Sequence, residues 1–207
     1  MSARDAILGA IRAARPTLDR PLPPVPAFDG GAAPPLLAVF RESLTRMGGN
    51  LIEPPPSGDP LAPVRERIAN AKVVCSTVVE ISGNRDIGAV HAPTDLADVD
   101  IAIVRAAFAV AETGSVLLCD ADLQVNAVAY LAQHLIVLLD PVDIVLNLHH
   151  AYRRPELREH HYACFHTGPS ATADIEGVLI HGAQGVRSLG VLPLARHADT
   201  GATRDHR

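Results

Sequence analysis

Apolar residues along the chain fall into short continuous runs and helical stripes, separated by polar breaks bearing Pro or Gly. Ile7, Leu8 and Ile11 recur at helical spacing behind Ser2, so residues 2–14 are predicted to form a short amphipathic helix capped by Ser2. Residues 16–35 are rich in Pro, Gly and Ala and read as a connector with little core material. Leu36, Leu37, Val39, Phe40, Leu44 and Met47 form a second helical stripe, closed by Gly48-Gly49. A short strand at 50–52, a Pro-rich break, a helix at 61–71 and a strand at 72–76 follow, and residues 78–81 are expected to extend or pair with a strand.

From residue 98 the apolar runs lengthen. Strands are predicted at 98–104, 108–111, 116–119, 135–139, 162–165 and 188–194, with helices at 121–132, 142–151 and 172–181. The consecutive strands at 108–111 and 116–119, joined by a tight polar turn, point to a local antiparallel ribbon. Elsewhere helices alternate with apolar strands. The fold class is therefore α/β, a mostly parallel sheet with flanking helices. The expected organisation is a helical lead-in and Pro-rich connector over 1–48, an α/β domain over 49–196, and a polar, disordered tail over 197–207.

Two polar stretches interrupt this apolar pattern. Glu112-Thr113-Gly114-Ser115 sits between the two ribbon strands, where a carboxylate and two hydroxyls are costly unless paired or useful. Thr167-Gly168-Pro169-Ser170-Ala171-Thr172-Ala173-Asp174 follows the 162–165 strand. Gly168 tolerates backbone angles that other residues avoid, and Ser170 and Thr172 suit a helix N-cap. Exposed N–H groups beside hydroxyls at a helix start make a site for phosphate or carboxylate, so Thr167, Gly168, Ser170, Thr172 and Asp174 are candidate ligand contacts. Asp174, itself an anion, could instead meet a substrate hydroxyl or, with Glu176, a metal. The alternative for this stretch is a helix cap with spare hydroxyls. Both turns follow apolar strands that must share a core, so they are expected to lie side by side and form one site.

The same residues carry a resemblance. Glu112-Thr113-Gly114-Ser115 before an apolar strand, then Thr167-Gly168-Pro169-Ser170 with Thr172-Ala173-Asp174-Ile175-Glu176, closely resembles the lactate utilization protein C family, the LUD domain. The likeness continues through Val178-Leu179-Ile180-His181-Gly182-Ala183-Gln184-Gly185, and Ser2 to Leu8 is similar to that family's N-terminal helix. The resemblance implies a fold like that of glucosamine-phosphate deaminase (NagB), ribose-phosphate isomerase (RpiA) and the CoA transferases. It also implies a part in oxidising L-lactate to pyruvate alongside iron-sulfur partner proteins; with no redox-cofactor motif in this chain, the expected part is that of an accessory or ligand-binding subunit. His134 matches the family's His at a strand start and joins the candidate ligand contacts, although a lone His there also suits a hydrogen-bonded structural role. Tyr130-Leu131-Ala132-Gln133 departs from the Leu-Pro-Pro-like segment the family carries before it.

Glu112 is the candidate catalytic residue. Ligands of open α/β sheets collect beyond the carboxyl ends of the strands, and Glu112-x-Gly114 looks like the nucleophilic Glu of a CoA transferase. That chemistry, acyl transfer or a sugar-phosphate reaction through Glu112 with Thr113, Gly114 and Ser115 beside it, is the alternative to a binding subunit. A structural Glu accepting backbone N–H groups is the other alternative.

Composition narrows the classes. The 207 residues are 48% hydrophobic and 20% charged, with a formal net charge of −5 and no basic stripe, so nucleic acid is not an expected partner. Aromatics are only 3%, so the core must be aliphatic. Cys75, Cys119 and Cys164 lie far apart without C-x-x-C spacing. No zinc or iron-sulfur site, and no other cofactor, is read from this chain, and reduced thiols in the cytoplasm are expected. Adjacent pairs such as His149-His150 point in different directions on a helix and cannot share one tetrahedral metal. No apolar run is long enough for a membrane span. The ligand expected at the Thr167–Asp174 turn is a small organic acid or a phosphate.

Overall fold

The computed structural model describes residues 2–15, 23–31, 34–174, 176–181 and 184–196. The predicted tail over 197–207 and part of the connector lie outside them. Two sheets organise the chain. The first has five strands, β1 (Asn50–Leu51), β2 (Val74–Ser76), β3 (Ile101–Arg105), β6 (His134–Leu139) and β11 (Ser188–Pro193), in the order β1-β11-β6-β3-β2. Every neighbouring pair is parallel, with Ile103 and Val191 flanking Ile136 and Val137 in register. β3 is buried along its whole length and β6 beyond His134, which is why both read as unbroken apolar runs.

The second sheet has four strands, β4 (Phe108–Val110), β5 (Ser115–Cys119), β7 (Ile144–Val145) and β8 (Ala163–His166), in the order β7-β4-β5-β8. β4 and β5 form the expected antiparallel ribbon, with Ala109 opposite Val116. β5 pairs antiparallel with β8, setting Val116 opposite His166. The architecture is thus α/β, a parallel sheet flanked by helices with a mixed second sheet beside it.

Helix α1 (Ala3–Ala14) is capped by Ser2, whose hydroxyl accepts from Asp5 N while the Asp5 carboxylate accepts from Ser2 N, yet it buries no residue. Helix α2 (Leu36–Arg46) buries Phe40 and Leu44 completely and ends where Gly49 N donates to Leu44 O at 3.0 Å. Helix α3 (Ala62–Ile68) fulfils the third helical prediction in shortened form.

Four expectations change. The helix predicted over 121–132 is two single turns, α4 (Asp120–Leu123) and α5 (Val128–Leu131), broken at Gln124, whose φ is 59°. The helix predicted over 142–151 shrinks to α6 (Leu148–Ala151), because Ile144 and Val145 are drawn into the sheet beside β4. Residues 78–81 form no strand; Val79 is almost fully exposed. The helix predicted over 172–181 is a hairpin of β9 (Ala171–Thr172) and β10 (Ile180–His181). Glu176 and Gly177 take φ of 54° and 70°, and two left-handed residues in succession turn a strand back rather than continue a helix.

Candidate functional site

Glu112 lies two residues past the end of β4. Ala111 N donates to Val145 O at 2.9 Å and Glu112 N to Leu146 O at 3.0 Å, so the β4–β7 ladder fixes its backbone. It therefore ends a strand of the mixed sheet. That sheet is the second one, which the chain enters after β3. Glu112 Oε2 accepts from Leu148 N at 3.1 Å, at the start of α6. Oε1 has no hydrogen-bond partner among the described residues.

The two polar turns meet under α2. Gly114 has φ of 69°, and a Cβ there would strike the backbone of Leu44 and Ser43. Gly168 has φ of 70°, and a Cβ there would strike the carbonyl of Met47. Both glycines are thus required twice, for a left-handed backbone and for the close approach of the helix. Ser43 Oγ fastens the roof by donating to Glu112 O at 3.1 Å.

The β5–β8 pairing brings the hydroxyls together. Thr113 Oγ1 lies 2.7 Å from Ser115 Oγ, which lies 2.6 Å from Thr167 Oγ1. Ser115 is buried and the two threonines are half-buried. Three hydroxyls carry three protons and make two mutual bonds, so one O–H at an end of the row remains to be donated. Low local dielectric strengthens such a row cooperatively.

These groups open into a cavity of about 440 Å3, lined by Glu112, Thr113, Ser115 and Thr167 together with Ser43, Arg46, Met47, Leu148, Tyr152 and Phe165. Arg46 has no carboxylate within ion-pair distance among the described residues. Sequence reasoning missed the α2 and α6 contributions. Of the residues expected at the site, Gly114 and Gly168 shape it from behind, and four others lie elsewhere. Ser170 N donates to Val186 O at 2.9 Å, and Thr172 Oγ1 and Asp174 Oδ2 bond each other at 3.0 Å in the hairpin. His134, exposed at the amino end of β6, holds Ser188 Oγ at 2.8 Å from its Nδ1 and lines two other cavities of about 600 and 240 Å3.

The opposite face of β8 carries a second polar group. His166 is 9% exposed, its Nε2 has no partner, and burial pushes its pKa down to about 4, so the ring is neutral. Its ring centroid is 5.1 Å from that of Tyr130, whose hydroxyl bonds Tyr162. Burial raises both phenols above their ordinary range. Among the described residues no group of three or more His, Cys, Asp or Glu side chains is placed to hold a metal ion, and no helix is long and apolar enough to cross a membrane.

A parallel α/β sheet with a mixed sheet, and a ligand-sized cavity where two Gly turns meet a helix, define the class. Within it the chain belongs to the LUD domain family, whose profile matches residues 89–192. A crystal structure at 1.70 Å of a DUF162 family protein from Deinococcus radiodurans is similar in fold, with a TM-score of 0.56 at 17% identity over 82% of this chain and 99% of that one. No curated protein matches the chain.

Proposed function

We propose that the protein is a ligand-binding LUD-domain protein related to lactate utilisation, taking a small 2-hydroxy or 2-oxo acid into the cavity at Glu112. The row Thr113–Ser115–Thr167 carries this reading: a partly buried hydroxyl chain with one unspent donor suits a carboxylate or carbonyl oxygen. Glu112 Oε1 is free to accept from the 2-hydroxyl of a ligand, and Arg46 can pair with its carboxylate. Gly114 and Gly168 hold the turns in place. The Leu148 amide anchoring Oε2 supports an acceptor role for Glu112 over the nucleophilic one. In this reading the protein works as an accessory subunit beside iron-sulfur proteins that carry the electrons, and co-purification from lactate-grown cells tests that part.

Calorimetry with L-lactate and pyruvate tests the site. Wild-type protein is expected to bind, and Glu112→Gln to weaken binding about tenfold or more while the melting temperature stays within about 2 °C, because volume is kept and only charge is lost. Failure of wild-type protein to bind any such acid overturns the reading. A large fall in melting temperature with binding unchanged makes Glu112 structural.

A further inference from the structure

Beside its polar groups the cavity has an apolar side. Phe165 and Tyr152 meet edge to face with ring centroids 6.3 Å apart, and Met47 and Leu148 line the same space. Tyr152 is 63% exposed and Met47 47% exposed, so two large apolar side chains stand open to solvent in one place. Scattered exposed apolar residues need no explanation, but several gathered in one concavity with convergent polar groups mark a binding wall. The chain has only seven aromatic residues, four Phe and three Tyr, and two of them are here.

We propose that the acid taken by this cavity carries a large apolar side chain, aryl or branched alkyl, on the carbon bearing its hydroxyl or oxo group. The inference rests on the reading of the cavity as an organic-acid site and names its substrate class. A volume of about 440 Å3 falls in the range of roughly 300–1,000 Å3 that holds drug-sized ligands and is far more than lactate fills. The methyl group of lactate would leave Tyr152 and Phe165 wet. An aryl group seated on them gains an aromatic contact as well as buried area. Arg46 pairs with the carboxylate, the hydroxyl row donates to the oxygen on the neighbouring carbon, Glu112 accepts from that oxygen when it is a hydroxyl, and the side chain lies against Phe165, Tyr152, Met47 and Leu148.

The test is calorimetric titration of the full chain with L-lactate, 3-phenyllactate and 2-hydroxy-4-methylpentanoate. The two larger acids are expected to bind about tenfold or more tightly than lactate, since burying roughly 60 Å2 of apolar surface accounts for that factor. Tyr152→Ala is expected to weaken 3-phenyllactate about fivefold and to narrow its advantage over lactate; with most of its surface in water, Tyr152 contributes little to folding. Lactate binding as tightly as the larger acids, or a phenyllactate advantage left undiminished by Tyr152→Ala, overturns the side-chain inference alone. Binding of none of the three acids overturns the organic-acid reading of the site, and this inference with it.

Discussion

A methyl group at Gly114 would land on the backbone of α2, and one at Gly168 on the last carbonyl of that helix's closing turn. Neither obstacle is the flexible end of a side chain, so neither can step aside cheaply, and both positions add a left-handed backbone. Gly114→Ala and Gly168→Ala are each expected to lower stability by about 2–4 kcal/mol, read as a fall in the urea midpoint at constant m-value. The Glu-Thr-Gly-Ser and Thr-Gly-Pro-Ser turns were legible in the sequence because acids and hydroxyls stand out between apolar runs. Ser43, Arg46 and Met47 were not. They end a helix whose stripe reads as packing, and no periodicity reveals which distant turn a helix end will cover. Ser170, Thr172 and Asp174 carry the same polar signal as Thr167, but the chain turns away after Pro169 into the hairpin.

Elements were read best where burial was two-sided. β3, β5 and β6 appear close to their predicted spans because a run buried on both faces leaves no polar position to confuse the period. The helix misread at 172–181 had cap residues and helical apolar spacing, but Val178 and Leu179 are 59% and 60% exposed: the stripe found no surface to pack on, and Gly177 decided for a turn. Short helices need tertiary packing to persist. α1 shows the complementary case. Its cap and stripe formed as read, yet Ile7 and Ile11 remain exposed and it buries nothing. Removing residues 1–15 is therefore expected to change the melting temperature by less than about 2 °C, measured by thermal unfolding followed by circular dichroism.

At the scale of the whole molecule, β8 divides the chemistry between two faces, with Phe165 and Thr167 on the cavity side and Cys164 and His166 towards Tyr130 and Tyr162. The buried neutral His166 links folding to pH. Its native pKa lies near 4 and an unfolded His titrates near 6.5. Above about pH 6.5 neither state takes the proton and His166 adds no pH dependence. Between about 6.5 and 4 only the unfolded chain takes it, so stability falls as pH falls. About 2 kcal/mol of the loss between pH 7 and pH 5 is expected to come from this residue. Urea unfolding at both pH values should show a shallower decline in His166→Phe, and an unaltered decline would mean that the native pKa of His166 is not lowered. This buried ring was invisible in the sequence, where His166 is one of ten His and nothing marks its side of the strand.

The outermost strands of the parallel sheet are β1 and β2, and both precede residue 89, where the LUD match begins; so does α2. A recombinant fragment trimmed to residues 89–192 would leave β3 and β11 with bare hydrogen-bonding edges, ready templates for chain-to-chain pairing, and a ligand cavity without its ceiling. The family segment is thus a central slab finished on both flanks by preceding sequence, and the strands of the parallel sheet, with every residue lining the cavity, fall between Leu36 and Pro193.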